Sequence, residues 1–448
     1  MKRPASVSSM RRPSASSGSS HSTSSMKDVT NIKEYIYPGD DCPVCGMRLY
    51  TRKDKAVCAV LLGGETITDV KTYPKVCNRC RNTTRYNLVT VGKETLNCMS
   101  LDEMKQCGAL FITSKTAFSF SYLEMTYIRL LRGKLAPGQE SSILHIYHSE
   151  DTRMPTSRRL REFLLHALEA YAVAKRTPSV AVQFNMSYPA SAVTKVGKVI
   201  TLPCPDAVNA ISFDGHFGIH RTLSKWDAPR DTKLKGYPRQ KVLREDERSC
   251  SCRRKDAKRL VLPQRTAGWH FAVDPDSRRI LGAVEHIQNE CNKDKVRLLK
   301  TVMHMPGIHA DLLIHDDICH FQPFVTKHHA EAFAGIKFWV IDAFHCPNHT
   351  CDKCVWSTAE KRRCKSVRTN VSESVNAWVR SLNFFLNSLR PLSHIFWMEE
   401  MGTFYNSNLQ SVPVRINKRT NVLGRAKRVL KKPAARKVLK RPSILKRS

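Results

Sequence analysis

The chain has 448 residues, with 74 Lys and Arg against 39 Asp and Glu, giving a formal net charge of +35. That length holds two or three domains, and a hydrophobic share of 41% suffices for packed cores, which excludes a wholly disordered protein. The charge excess favours a polyanion partner through counterion release. No apolar segment follows the opening MKRPASVSSMRRPSASS, and nowhere is there an apolar run of roughly eighteen residues, so neither a secretion signal nor a membrane span is expected. The 16 cysteines cluster at short spacings. Without a secretion signal this reads as metal ligation in a reducing compartment.

Residues 1–34 are rich in Ser, Arg and Pro and are expected to be a disordered arm. Residues 35–110 form a cysteine-rich module. Cys42-Pro-Val-Cys45 and Cys77-Asn-Arg-Cys80 make a CxxC…CxxC set, and two such pairs close a tetrahedral zinc site. Gly46 suits the tight turn after the first pair. Cys58, Cys98 and Cys107 are candidates for a second site, against simple burial. Interleaved Lys53, Lys55, Arg79, Arg81 and Arg85 point the module toward DNA.

A helical region is expected over residues 111–178. In SRRLREFLLHALEAYAVAK, Leu160, Phe163, Leu164, Ala167, Leu168 and Tyr171 fall on one face at helical spacing. SYLEMTYIRLLRGKL before it also reads as helix. From Ser179 to Leu409 the pattern becomes α/β. SVAVQF, KVITL and ISFDGHFGI read as strands, followed by GWHFAVD, ADLLIHD and KFWVIDAF, with helices between or after them. In ISFDGHFGI, Ile211, Phe213, Phe217 and Ile219 face one way and Ser212, Asp214 and His216 the other. Residues 410–448 are basic and free of acid, and read as a disordered tail that binds phosphates and carries nuclear-import signals.

Two further metal-ligating groups lie in the α/β region. Cys250-Ser-Cys252 is a chelating pair that needs partners from elsewhere, Cys291 being one candidate. HCPNHTCDKC gathers His345, Cys346, His349, Cys351 and Cys354. A zinc site drawing on His349, Cys351 and Cys354 is expected there, with His345 or Cys346 as the fourth ligand.

Three acids stand at the edges of apolar segments. Asp214 lies on the polar face of a strand and precedes Gly215, which allows close backbone approach. Asp316 ends the strand containing Leu312, Leu313 and Ile314, where open α/β sheets place their chemistry; Asp317 is the neighbouring alternative. Glu373 opens the helix SESVNAWVRSLNFFLNSL, which buries Val375, Trp378, Val379, Leu382, Phe385, Leu386 and Leu389, with Ser372 as a candidate cap. Three such carboxylates can hold two divalent ions for attack on a phosphodiester. A phosphate-binding GxxxxGK[ST] loop and a GxSxG serine elbow are both absent, which argues against an NTP-driven helicase and a serine hydrolase.

From Ile211 to Trp397 the chain resembles the transposase domain of the Kyakuja-Dileera-Zisupton (KDZ) group of eukaryotic DNA transposons. The resembling pieces are Asp214-Gly215-His216-Phe217, the D-x-x-C from Asp316 to Cys319, the stretch Ile341 to Cys351 with its Cys346-x-x-His349, and the E-x-x-N-x-W from Glu373 to Trp378. The pair at Cys250 also fits. The resemblance implies an RNase H-like mixed sheet flanked by helices, and a DDE triad of Asp214, Asp316 and Glu373 binding two Mg²⁺ or Mn²⁺ ions. It implies cleavage and strand transfer at transposon ends, DNA partners (transposon ends and target) and a homo-oligomer in the nucleus. The N-terminal zinc module would recognise the ends. Two other readings remain open: a domesticated, non-catalytic zinc-dependent DNA-binding protein, and an RNase H-like nuclease with another substrate.

Overall fold

A computed structural model describes residues 32–195, 197–223, 264–287, 290–349, 351 and 356–409. The basic segments through residue 31 and from 410 onward lie outside the described residues, as do Cys250, Cys252 and Cys354. The first strands are β1 (Lys33–Tyr35), β2 (Leu49–Thr51), β3 (Val57–Leu62), β4 (Ile67–Thr72), β5 (Lys75–Cys77), β6 (Thr83–Arg85), β7 (Leu88–Val91) and β8 (Glu94–Asn97). Helix α1 (Leu101–Cys107) follows, then β9 (Ala109–Thr113) and β10 (Thr116–Ser119). They form a mixed sheet, β1-β4-β3-β10-β9, and an antiparallel one, β2-β5-β6-β7-β8. Strand β1 begins inside the segment expected as a disordered arm. The expected module boundary at 110 falls within β9, which pairs with β10 to complete the first sheet.

Helices α2 (Phe120–Leu131), α3 (Pro137–Tyr147) and α4 (Ser157–Lys175) follow. Helix α4 buries Leu160, Leu164, Ala167, Leu168 and Tyr171, as their spacing predicts. SVAVQF does not become a strand. Asn97 holds that segment against the end of β8, donating from Nδ2 to the Val182 carbonyl at 3.0 Å, and the backbone adds only an isolated bridge between Leu96 and Asn185.

The remaining strands are β11 (Ile200–Thr201), β12 (Val208–His216), β13 (Gly268–Val273), β14 (Ile280–His286), β15 (Ile308–Ile314) and β16 (Phe338–Val340). The helices are α5 (Asn292–Met303), α6 (Ile318–His328), α7 (Thr358–Arg363), α8 (Val371–Arg380), α9 (Asn383–Asn387) and α10 (Pro391–Ser407). The third sheet has the order β11-β14-β13-β12-β15-β16. Strands β12, β13 and β14 pair antiparallel, whereas β15 and β16 run parallel to β12. The protein is therefore a mixed α/β structure.

Both faces of the third sheet are covered, which is why β13 and β14 are buried throughout. On one face Phe213, Leu281, Val284 and Leu313 pack with Leu299 of α5 and Phe321 of α6. On the other, Trp269, Phe271 and Val273 pack with Val375, Leu386 and Trp397 of α8–α10. That second core continues through α2 and α4 into the first sheet. Polar ties reinforce it: Tyr127 donates to Glu400 Oε2 at 2.9 Å, and Arg176 reaches Glu400 Oε1 at 2.6 Å.

Three local expectations need correction. Strand β14 has no counterpart in the sequence reading, because its Glu285 and His286 look like surface residues. Both are buried, Glu285 against Arg221 at 2.9 Å and His286 against His270 at 2.8 Å. The alternation in ISFDGHFGI stops when β12 ends at His216, so Ile211 and Phe213 enter one core while Ile219 enters the opposite one. The single long helix after Glu373 is two. Ser381 Oγ donates to the Trp378 carbonyl at 2.7 Å, and the chain restarts at Asn383, whose side chain meets His216 at 3.4 Å.

Glu169 is 1% exposed on α4. Burial pushes its carboxyl up to about 7, with Ser393 and Trp397 pulling it back. Its proton is thus held more tightly in the folded chain than in the unfolded one, where the ordinary value is 4.5. This contribution is fully present below pH 4.5 and is lost as pH rises through about 7. Thermal denaturation of Glu169→Gln against wild type should show the variant gaining relative stability, by about 3 kcal/mol at most, between roughly pH 5 and pH 8. An equal pH dependence in both proteins would refute the buried-acid account.

Candidate functional site

Parallel pairing fixes the first two acids. Ser212 of β12 is in register with Ile314 of β15, so Asp214 and Asp316, each two residues further on, emerge level at the same end of neighbouring strands. Helix α8 brings the third. Ser372 does not cap this helix; Asn370 stands at the cap position, without a side-chain bond. Ser372 is instead buried, its hydroxyl 2.8 Å from Ser212 Oγ. Four residues on, on the same face of the helix, Asn376 Nδ2 donates to Asp214 Oδ2 at 2.8 Å. Those two bonds lock α8 to β12 and bring Glu373 to the pocket.

Electrostatics record the meeting. Burial, and then the negative charges of Asp316 and Glu373, push the Asp214 carboxyl well above the usual range, against the Gly215 N–H and His345. Asp316 goes the other way. Burial opposes its ionisation, but His315 beside it, then Lys295 and His345, hold it well below the usual range. His315 Nδ1 lies 3.0 Å from Asp316 Oδ1. Asp317, the alternative, lies 3.8 Å from His320, and its charge also reaches Lys295.

His345 sits among the acids as a cation. Its Nδ1 is 3.3 Å from Asp342 Oδ2 and its Nε2 is 3.6 Å from Glu373 Oε1. The bond to Asp342, opposed by burial and aided by the charges of Asp316 and Asp214, raises it to about 9. The pocket thus offers hard oxygen donors with an excess of negative charge, the donor set that suits Mg²⁺ or Mn²⁺. Asn376 Oδ1, buried beside Asp214 without a hydrogen-bond partner, leaves a further oxygen for a ligand.

The N-terminal cysteines form a separate cluster that could hold a metal such as zinc. Cys42, Cys45, Cys77 and Cys80 come together, with Cys42 Sγ 3.6 Å from Cys80 Sγ and Cys45 Sγ 3.5 Å from Cys77 Sγ. Four thiolates at about 2.3 Å from a tetrahedral ion stand about 3.8 Å apart, close to these spacings. The two pairs sit on matching turns. Cys42 N–H donates to the Met47 carbonyl at 2.8 Å, and Cys77 N–H to that of Asn82 at 3.1 Å. Each turn needs a left-handed residue after its second cysteine: Gly46, at φ 71°, and Arg81, at φ 61°. A non-glycine there costs roughly 1–2 kcal/mol, small against the roughly 10 kcal/mol of a structural zinc site. The Cys80 N–H, opposed by burial and aided by the Cys45 thiol, draws the Cys77 thiol down to about 6, toward the thiolate a metal requires.

The third group divides. His349 and Cys351 come together with Cys319 of α6, Cys319 Sγ lying 3.7 Å from His349 Nδ1. His345 turns to Asp342 and Glu373, and Cys346 Sγ lies 3.9 Å from the Ile341 carbonyl, close enough to Cys351 for that thiol to act on its charge. Cys291 Sγ bonds Asp294 at 3.2 Å. Cys98 Sγ is buried against the Tyr86 carbonyl at 3.6 Å and Cys58 is exposed.

Sequence reasoning missed Cys319 as a cluster member, and the roles of Asn376, His345, His315 and Lys295. The spacing Glu373-x-x-Asn376 was a signal, since three residues return to one side of a helix. Lys295 gave none, because a lysine in an amphipathic helix reads as solvent-facing. Comparison with protein-family models, curated proteins and solved structures found no match to this chain. Among the described residues, no helix is long and apolar enough to cross a membrane.

Elemental analysis of the purified chain should find at least one zinc, with one equivalent lost in Cys45→Ser and faster proteolysis of the N-terminal sheets. Metal-free protein that keeps those sheets intact would refute the closed site.

Proposed function

We propose that the chain is a DDE-type transposase, or a protein descended from one, that cuts DNA phosphodiesters through Asp214, Asp316 and Glu373. An RNase H-like fold is supported by the order β14-β13-β12-β15-β16, an antiparallel run of three strands extended by two strands parallel to β12. The observation that carries the reading is the convergence of three acids from β12, the end of β15 and α8, with Asp316 and Glu373 both acting on the Asp214 charge. A net charge of +35 supports DNA as the polymer.

The chain's own residues supply the frame. Asn376 fixes one oxygen of Asp214 and the Gly215 N–H the other, at 2.7 Å. Asp316 is held ionised by His315, Lys295 and His345. Mg²⁺ or Mn²⁺, when bound, would activate a water or 3′-hydroxyl and stabilise the leaving oxygen. The cluster of Cys42, Cys45, Cys77 and Cys80 would brace a DNA-reading module, and a zinc on Cys319, His349 and Cys351 would tie the start of α6, just after Asp316, to the loop that carries His345.

One observation favours a second reading, a non-catalytic DNA-binding protein of the same descent. His345 already supplies a cation to Asp342 and Glu373, which stabilises the pocket without metal.

Nicking of supercoiled DNA should require Mg²⁺ or Mn²⁺. Asp214→Asn, Asp316→Asn and Glu373→Gln should each reduce it by at least about 100-fold, since even outer-shell changes cost roughly 10–100-fold, and each should still bind DNA. Tight DNA binding with no cleavage under any divalent ion would select the second reading. A preference for RNA–DNA hybrids would point to a nuclease of another kind.

A further inference from the structure

Beneath the acidic pocket lies a chain of buried polar groups that the proposed chemistry does not use directly. His315, 1% exposed, precedes Asp316. Its Nδ1 is 2.9 Å from the Phe213 carbonyl, the peptide immediately before Asp214, and 3.0 Å from Asp316 Oδ1. One ring nitrogen therefore touches both acid-bearing strands. The opposite nitrogen, Nε2, is 2.9 Å from the Nζ of Lys295, itself 1% exposed on α5. Lys295 Nζ is held in turn by Glu290 Oε1 at 2.6 Å.

Hydrogen-bond inventory decides the roles. A charged lysine donates and has nothing with which to accept. Its ammonium stays charged here, since Glu290, and then Asp317 and Asp316, overcome the burial that would neutralise it. Nε2 of His315 must therefore accept, and the ring proton must sit on Nδ1. The Phe213 carbonyl and Asp316 Oδ1 can only accept, so Nδ1–H is the donor both require. Each partner dictates the same tautomer from its own side of the ring.

We infer that Lys295 is a positioning residue: it anchors Nε2 of His315, whose Nδ1–H grips one oxygen of Asp316 and the backbone before Asp214 and holds both acids in register. Outer partners of this kind set the orientation of the groups they touch. Phe213 and Phe321 pack against the ring at 4.2 and 6.1 Å between centroids and restrict its tilt, and the lysine contact completes the hydrogen bonding of the ring on its far side. The inference rests on the proposed cleavage reading for its catalytic consequence alone; the tautomer is independent of it.

The test combines ¹⁵N-histidine NMR on the full chain with nicking assays. His315, assigned by its missing signals in His315→Gln, should show a protonated Nδ1 and an unprotonated Nε2 at neutral pH. Lys295→Met should take the hydrogen bond from Nε2 and shift that nitrogen's resonance while Nδ1 keeps its proton, and should lower the nicking kcat roughly 10–100-fold with DNA affinity unchanged. Glu290→Gln alters a partly exposed group and loosens Lys295 without removing it; it should give the same changes, smaller, and it decides the matter if Lys295→Met does not fold. A wild-type His315 protonated on Nε2, or variants that leave both the Nε2 resonance and kcat unchanged, would overturn the inference. Wild-type protein with the expected tautomer but no nicking would instead sink the cleavage reading and leave the Lys295–His315 assignment standing.

Discussion

Asp214, Asp316 and Glu373 stand close enough at the end of the third sheet for the last two to act on the charge of the first, and the groups around them answer that charge. The cost is visible in Asp214, whose carboxyl burial and the two neighbouring charges hold in the protonated direction. Asp316 stays ionised because positive or donating groups approach it: His315, Lys295 and His345. A pocket of this kind has two ways to become stable, by internal cations or by bound ones. The protein supplies the first through His345 and Lys295, and leaves oxygen donors that suit the second.

The framework that tolerates this strain is the double-sided core. Helices α5 and α6 cover one face of the third sheet and α8–α10 the other. Strand β12 lies between β13 and β15 and is fixed by ladders on both sides. Repulsion between Asp214 and Asp316 therefore cannot be relieved by sliding a strand, because a one-residue slip would turn every apolar side chain to the wrong face. The Ser212–Ser372 contact and the Asn376 bond do the same for α8. The four-cysteine cluster plays a different part. It lies in small strands whose apolar contribution is a few residues around Leu49, where a metal can supply what a core cannot.

Much of the site was legible because some chemistry is written locally. The two CxxC pairs are sequence-adjacent ligands on similar turns, so spacing alone identifies them. Asp214, Asp316 and Glu373 could be picked out because each interrupts an apolar segment. Other elements misled for equally physical reasons. In β14 a buried Glu and His mimic a surface strand, since their partners, Arg221 and His270, are distant in sequence. At the α8–α9 break Ser381 Oγ donates to the Trp378 carbonyl, a bond that leaves no trace in apolar periodicity. SVAVQF has strand composition, but it meets the end of β8 through the Asn97 amide and an isolated bridge rather than through a ladder.

The sequence by itself determined the mixed α/β character of the chain, the cysteine pairs, and the acids at the edges of buried segments. All of these follow from residue type and short spacing. Only the tertiary structure decided which residues answer those acids. It joined Cys319 to His349 and Cys351, turned His345 toward Glu373, and buried Lys295 beneath Asp316. The reason is that electrostatic and hydrogen-bond partners act through space at about 3 Å, a distance set by strand register and helix packing and not encoded in the local order of residues.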